Sequence, residues 1–197
     1  MAVREGFLAL LLAGENYGFG LHQEWIRRTG GRRPLNPGQS YATLDRLRSA
    51  GLIESAGTTA DGLELSRLTE SGRARALDWL GGDDASGTDP WDESLDRVLL
   101  VLSLPPGTIP KLTAQAVLSA ERSAWEQRLR SAEPADEWVA QEATHAQNRQ
   151  AEAAIAWLEA IAERHARSDA NFTIPFSTER RRRGRPRAHP PDVEPLS

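Results

Sequence analysis

The side chains with the clearest potential for recognition chemistry follow an Asn36-Pro37 pair. Asn36 is a favoured residue before a helix, Pro37 suits the first helical position, and Gln39 at the third position completes a variant of the capping box. This start predicts a helix over residues 36–50 with Gly51 as its C-cap. At about 100° per residue, the inner side of that helix carries Ser40, Leu44 and Leu47, and the outward side or one flank carries Gln39, Ala42, Thr43 and Arg46.

The outward group has the composition of an edge that reads duplex DNA. A glutamine amide can pair with adenine at two atoms, an alanine or threonine methyl can touch the thymine methyl, and Arg46 can reach guanine or phosphate. Backbone N–H groups at the capped helix start suit a phosphate oxygen. The same residues also fit an ordinary solvated helix face, so this helix alone leaves both interpretations open. The candidate DNA contacts in this helix are Asn36, Gly38, Gln39, Ala42, Thr43 and Arg46.

A second candidate contact lies in the arginine-rich segment 180–187 near the C-terminus. Its core, Arg183-Gly184-Arg185-Pro186, resembles an AT-hook. Glycine lets an extended backbone lie at the floor of a narrow minor groove, proline turns the flank outward, and arginines enter the negative potential over A·T steps. The alternative is a solvated basic tail without base preference.

The surrounding pattern predicts a compact helical head with a hairpin. Apolar residues recur at helical spacing over residues 3–13, and a second amphipathic helix ends at Gly30-Gly31. After the helix over 36–50, short runs at 52–54 and 63–68 flank a turn at 58–62, and Thr69 caps a fourth helix. Three helices followed by a two-stranded wing predict a winged helix-turn-helix. Residues 7–13 also resemble the apolar core of a signal peptide, but a buried first helix is the better interpretation.

The second half of the chain predicts helices that pair with a second copy. A short helical face around residues 95–102 stops at Pro105-Pro106, and long helices are expected over about 109–132 and 135–167. A stripe on the last helix consists of Val139, Ala143, Ala146, Ala153, Ala154, Trp157 and Ile161. Because alanine allows close helix–helix approach, we expect this region to mediate dimerisation.

Aromatic residues of the second half have two open interpretations each. Trp125, Trp138 and Trp157 can stack a small aromatic effector, or they can fill gaps in an alanine-rich interface. Phe172, Ile174 and Phe176 alternate, which fits a short arm against the body or, as we favour, an ordinary linker.

Several short motifs together resemble the phenolic acid decarboxylase repressor family, the PadR-like regulators. They are Leu8-Ala9-Leu10-Leu11, Tyr17-Gly18, Gly38-Gln39-Ser40-Tyr41-Ala42-Thr43-Leu44-Asp45-Arg46-Leu47, Gly51-Leu52-Ile53 and Arg67-Leu68-Thr69-Glu70-Ser71-Gly72-Arg73. The resemblance covers roughly the first 80 residues and implies a dimeric bacterial transcription factor, usually a repressor, whose C-terminal helices dimerise. It also implies that Tyr41 faces DNA, whereas packing at the core edge is the alternative role of this side chain. The wing departs from the family pattern, since it carries Asp61, Gly62 and Glu64 where relatives often have basic residues.

Length and composition restrict the alternatives. The chain has 197 residues, which allows one large or two small domains. It has no cysteine, which excludes disulfides and thiolate metal sites, and no apolar run of about 20 residues that could span a membrane. The four histidines lack metal-ligand spacing and no phosphate-binding loop is present, so we expect neither an enzyme nor a cofactor. Net charge is +1 over residues 1–80, -8 over 81–171 and +3 over 172–197, which leaves only the ends of the chain to face a polyanion.

The sequence thus predicts a mainly α protein: a winged helix-turn-helix with a two-stranded wing, followed by a C-terminal helical dimerisation region. The expected boundaries are a DNA-binding domain at 1–80, a linker at 81–92, a dimerisation domain at 93–167 and a flexible basic tail at 168–197. The expected function is that of a homodimeric regulator, a repressor, which reads a pseudo-palindromic operator in the bacterial cytoplasm, on the nucleoid. An architectural A·T-rich DNA binder driven by the tail and a helical protein-interaction adaptor are the alternatives.

Overall fold

The computed structural model describes residues 2–82, 89–109, 112–131, 136–167 and 172–177. Their helices are α1 (Ala2–Leu11), α2 (Gly18–Arg28), α3 (Pro37–Ser49), α4 (Glu70–Gly81), α5 (Pro90–Ser103), α6 (Ala114–Arg130) and α7 (Trp138–Ala166). Their strands are β1 (Asn16–Tyr17), β2 (Ile53–Thr58) and β3 (Glu64–Leu68).

Helix α1 forms the centre of the N-terminal half. Its apolar run is buried along the whole of residues 7–12, which confirms the prediction of a buried first helix. The ring of Trp25 on α2 meets Phe7 edge to face at 6.5 Å, and Gly6 leaves the space for it, since a Cβ there would lie 2.0 Å from Trp25 Cζ3. Helices α2, α3, α4 and α5 all pack on α1 or on each other around this apolar run.

The described strands form a three-stranded antiparallel sheet in the order β1-β3-β2, in which β1 precedes α2 and the other two strands follow α3. The wing, defined as β2, β3 and their connection, pairs Ile53 with Leu68 and Glu54 with Arg67. The first wing strand extends to Thr58, beyond the predicted residues 52–54, because a bulge between Ser55 and Thr58 accommodates Gly57 at a φ of 96°. The two-residue strand β1 was not predicted, because so short a strand carries no periodicity.

Helix α5 joins the two halves of the described chain. It begins at Pro90 with Asp89 as its N-cap, inside the stretch assigned to the linker. It packs on α1, α2 and α4 on one side and on α6 on the other. Two of its buried polar residues accept from tryptophans: Glu93 accepts from Trp79 Nε1 at 2.8 Å, and Ser94 accepts from Trp125 Nε1 at 2.9 Å.

Helices α6 and α7 form an antiparallel pair. Thr113 caps α6 by accepting from Ala116 N at 3.1 Å, so α6 begins at Ala114 and not at the predicted residue 109. The residues of α7 that face the core are Ala151, Ala154, Leu158 and Ile161. The predicted stripe is therefore divided. Ala154 and Ile161 are buried in the core, whereas the exposed members of the stripe are Val139, Ala143, Ala146 and Ala153.

Residues 172–177, here called the arm, lie against α2 and α5. Ile174 N donates to Ser103 O at 2.9 Å, and Arg28 on α2 stacks on the ring of Phe176 at 4.3 Å. The interpretation of Phe172, Ile174 and Phe176 as a linker is thus wrong, because buried charges on α2 give this segment fixed partners. The mainly α fold with a winged helix-turn-helix and a C-terminal helical region is confirmed.

Candidate nucleic-acid interface

The start of α3 has the cap that its sequence predicts. Asn36 Oδ1 accepts from Gln39 N at 2.8 Å, and Gln39 Oε1 accepts from Asn36 N at 3.2 Å. This reciprocal pair satisfies two helix-end donors and fixes the direction in which α3 leaves the preceding turn. The cap occupies the side-chain oxygen Oε1 of Gln39, while the amide NH₂ group of this side chain remains available to donate.

The outer edge of α3 is open to solvent. Asn36, Gly38, Gln39 and Arg46 are exposed, and Tyr41 is 47% exposed. The inner side consists of Ser40, Leu44 and Leu47, all buried as predicted. Ala42 is half-buried between the two sides.

Thr43 departs from its predicted outward position. It is buried at 9% exposure, and its hydroxyl donates to Gln39 O at 2.8 Å. A threonine hydroxyl commonly bonds the carbonyl four residues earlier, and this draws the side chain along its own helix.

Two contacts set α3 against α2. A Cβ at Gly18 would lie 2.7 Å from Tyr41 Cε1, so glycine permits the close approach of the Tyr41 ring to the start of α2. Deeper in the interface, His22 Nδ1 lies 3.0 Å from Ser40 Oγ, and burial lowers the pKa of His22. The neutral imidazole and the hydroxyl therefore form one buried polar pair, which explains a serine on the inner side of α3.

Ion pairs among four charged residues link the turn between α2 and α3 to α5. Arg32 Nη2 lies 2.6 Å from Asp96 Oδ1, Arg33 Nε lies 2.8 Å from Asp96 Oδ2, and both arginines also pair with Asp92. Asp96 is fully buried, and burial raises the pKa of its carboxyl to about 6 although the two arginines oppose that shift. This network was not predicted, since 59 to 64 positions separate its two arginines from its two carboxylates in the sequence.

A cleft of about 550 Å³ runs between α1 and the outer side of α3. It is lined by Arg4 and Arg46 together with Gln39 and Ala42. Within the described part of the chain, neither Arg4 nor Arg46 forms an ion pair. Arg4 was missed as a candidate contact, because only the packing of α1 on α3 places it beside the predicted edge.

In the wing, by contrast, the described residues include no arginine or lysine outside an ion pair. Arg67 is bound to Glu54 at 2.8 Å, which is the main cause of its raised pKa, and also approaches Glu15. Arg48 on α3 bridges Asp45 and the wing residue Glu64 at 3.0 Å. Asp45 on the exposed face is thereby paired, which reduces its repulsion of a phosphate.

The three predicted effector tryptophans do not meet. Trp125 and Trp157 lie on either side of Trp91, whose ring meets them edge to face at 6.2 and 5.3 Å. Trp138 is 72% exposed at the start of α7 and lies apart from them. Trp91 was not predicted as part of this group, because it precedes the helical pair in sequence. The hook residues Arg183, Gly184, Arg185 and Pro186 lie outside the described residues.

The residues that the structure describes contain neither a metal-binding group nor a membrane-crossing helix. No group of three or more histidine, aspartate or glutamate side chains there is arranged to hold a metal ion. None of the described helices combines the length and the apolar character that crossing a membrane requires.

Comparison with known proteins gives a match for the N-terminal half. Residues 7–77 match the model of the transcriptional regulator PadR-like family. No curated protein matches the chain. Among solved structures, Bacillus subtilis PadR in complex with operator DNA is 20% identical, with coverage of 80% of this chain and 94% of that chain and a TM-score of 0.36. Bacillus subtilis PadR in complex with p-coumaric acid is 20% identical, with coverage of 81% and 93% and a TM-score of 0.35. The match to the model of the transcriptional regulator PadR-like family covers residues 7–77, which run from α1 into α4 and include the wing.

Proposed function

We propose that this chain is a sequence-specific DNA-binding transcriptional regulator that represses as a homodimer by occupying a pseudo-palindromic operator. The observation that carries the proposal is the exposed, capped edge of α3 opposite a wholly buried inner side. The match of residues 7–77 to the model of a family of transcriptional regulators supports it. Such a regulator acts on the bacterial nucleoid, in the cytoplasm.

In this proposal α3 enters the major groove with its N-terminal half. Gln39 donates to a base edge through its amide NH₂ group, and Tyr41 contacts the groove wall from its half-exposed position. Arg46 and Arg4 contact phosphates, since both are free of ion pairs in the described structure and line the same cleft. Two copies of α3 read half-sites separated by one helical turn, about 34 Å, or by a multiple of it.

In this proposal α7 contacts the second copy of the chain. This helix has 29 residues and α6 has 17, so the first half of α7 extends beyond its partner. None of residues 138–150 is buried, and Trp138 and Val139 are two of the three exposed large hydrophobic side chains of the described chain. A second chain that covers this segment would bury both of these side chains. The boundaries of the dimerisation region, 93–167, remain a prediction.

A small aromatic effector also remains a prediction. The edge-to-face contacts of Trp91 with Trp125 and Trp157 favour mutual packing of the indoles. A cleft of about 430 Å³ beside Trp125, lined also by Arg128 and Asn148, is the space next to this group. Trp138 is exposed and does not line this cleft. In this proposal it lies in the dimer interface instead.

Selection of duplexes from a random library, followed by gel shifts, tests the proposal. The full chain is expected to enrich an inverted repeat and to bind it in the presence of plain A·T-rich competitor. Deletion of residues 178–197 is expected to lower affinity and keep the site preference. If the competitor displaces the repeat fully, the chain is an architectural A·T binder; if residues 1–177 bind no duplex at low salt, it is an adaptor.

Two matched pairs of variants test the α3 contacts on the selected duplex. Gln39→Ala is expected to change preference at one position of each half-site by about 1–3 kcal/mol, whereas Gln127→Ala on exposed α6 leaves it unchanged. Arg46→Ala is expected to weaken all sequences alike and to reduce the salt slope by about 1 per contact, whereas Arg130→Ala does not. Equal effects of each variant and its control would contradict these roles.

A further inference from the structure

The arm connects the last helix to the helix-turn-helix. The ring centroid of Phe172 lies 5.7 Å from that of His165 on α7. Two residues further along, Ile174 N donates to the carbonyl oxygen of Ser103, the last residue of α5, at 2.9 Å. The rest of the arm lies on α2. The arm therefore contacts α7, α5 and α2 in turn.

Arg28, the last residue of α2, is the centre of these contacts. It donates to Ile174 O at 2.8 Å and to Ser103 Oγ at 3.2 Å, and its guanidinium lies over the ring of Phe176 at 4.3 Å. Its Nε pairs with Glu24 at 2.8 Å, and both charged residues are only 2% exposed. Displacement of the arm would leave a buried guanidinium without some of these partners, which is costly.

Two further charges of α2 bind backbone groups of the arm. Arg27 Nη1 donates to Pro175 O at 2.7 Å, and Glu24 Oε1 accepts from Ser177 N at 2.7 Å. Hydrogen bonds depend on angle as well as distance, so bonds to successive backbone groups fix the position of the arm along α2.

A second attachment joins the helix-turn-helix to the other end of α5. The ion pairs from the turn between α2 and α3 reach Asp92 and Asp96 in the first two turns of α5, whereas Arg28 binds Ser103 in its last turn. Asp96 and Ser103 are seven residues apart, about 10 Å along the helix. Packing of α1 on α5 adds stability without direction, because the hydrophobic effect is non-directional. Two separated polar attachments, in contrast, oppose rotation about either one.

The orientation of α2 determines that of α3. Gly18 on α2 lies against the ring of Tyr41, and His22 Nδ1 lies 3.0 Å from Ser40 Oγ. Because these contacts pack α2 and α3 together, whatever holds α2 on the C-terminal helices also directs the outer edge of α3.

We propose that the arm fixes the orientation of the winged helix-turn-helix on the C-terminal helices, with Arg28 and Phe176 as positioning residues, and so sets the half-site separation that two copies of α3 accept. This inference rests on the proposed function and adds a determinant of spacing to it. Each base pair inserted between the half-sites turns one against the other by about 35° and moves it by about 3.4 Å. A rigidly held pair of α3 helices therefore distinguishes spacings that a loosely held pair does not.

Distances between two spin labels test the rigidity without DNA. Because the chain has no cysteine, Ser49→Cys on α3 and Ser123→Cys on α6 introduce two exposed labelling sites, and excess unlabelled chain restricts the measured distances to one protomer. The full chain is expected to give a narrow distance distribution. Phe176→Ala removes the ring under Arg28 and is expected to give a distribution several-fold broader. Leu77→Ala, half-buried on α4, is the matched control and is expected to keep the narrow distribution.

Duplexes in which the spacing of the selected repeat is lengthened by one or two base pairs test the consequence for DNA binding. The full chain is expected to lose affinity steeply with each added base pair, Phe176→Ala to lose several-fold less, and both to bind a single half-site alike. Ile174→Pro removes the N–H that binds Ser103 O and keeps the carbonyl that Arg28 binds, so the same changes are expected. This variant decides the matter if Phe176→Ala fails to fold.

The two readouts separate the inference from the proposed function. A distance distribution or a spacing dependence that stays as in the unaltered chain, or that changes equally in Leu77→Ala, overturns the inference, while binding of the repeat preserves the proposed function. An unaltered chain that accepts every spacing alike also overturns the inference. If the unaltered chain binds no duplex, the proposed function and its spacing fail together, whereas the label distances still show whether the arm holds the winged helix-turn-helix.

Discussion

The substitution Gly72→Ala tests the packing of α4 against the end of α3. A Cβ at Gly72 would lie 1.8 Å from Leu52 O, and this oxygen also accepts from Thr69 N at 3.1 Å. A normal carbon–oxygen contact requires α4 to move by about 1.5 Å, beyond what side-chain adjustment can absorb. Such a movement breaks the Thr69–Leu52 bond and the bond from Thr69 Oγ1 to Gly51 O at 2.7 Å.

The expected loss follows from three opposing terms. The two hydrogen bonds contribute about 1 kcal/mol each, overpacking costs about 1–3 kcal/mol, and alanine improves helix propensity by about 1 kcal/mol. We expect the free energy of unfolding to fall by about 2–4 kcal/mol. Propensity alone would predict the opposite sign, so the direction of the change decides between the two effects.

Urea unfolding, followed by tryptophan fluorescence and far-UV circular dichroism at fixed protein concentration, measures this change. Ala74→Gly on the exposed side of the same helix is the matched control, and it is expected to cost about 1 kcal/mol through propensity alone. A Gly72→Ala protein as stable as its parent, or more stable, would refute the close-packing argument.

Three further predictions concern the elements that position α3 and the second copy. Ser40→Ala is expected to cost about 1–3 kcal/mol in urea unfolding because the buried His22 loses its partner, and the double variant with His22→Leu is expected to recover part of this loss. The pKa of Asp96 is raised from 3.8 to about 6 in the folded state, so the folded state holds an extra proton between these pH values. The free energy of unfolding is therefore expected to fall by up to about 3 kcal/mol as pH rises from about 4 to 6, and Asp96→Asn is expected to abolish this part of the pH dependence. Trp138→Asp is expected to shift sedimentation at micromolar concentration from dimer to monomer; an unchanged dimer would place the interface elsewhere on the chain.

Much of the N-terminal fold could be predicted because its signals are local. The capping box of Asn36 and Gln39, the threonine cap of α4 and the glycine after α3 each act within one helical turn, and all three lie where the sequence places them. Helical spacing likewise predicted which side of α3 is buried, except at Thr43, which is buried and donates to the backbone carbonyl of Gln39 on the same helix.

Contacts between residues distant in sequence were decided by the tertiary structure alone. The arm lies on α2 because Arg28 and Glu24 are buried charges that need partners, and nothing in the alternation of Phe172 and Phe176 encodes that demand. The ion pairs of Asp96 were likewise decided by the tertiary structure, because its two arginine partners lie in the turn between α2 and α3, far from it in sequence. Periodicity and caps depend on the local backbone, whereas a buried charge finds its partner through space. The sequence by itself therefore determined α3 and its buried side, and the tertiary structure determined the contacts that hold α3 in place.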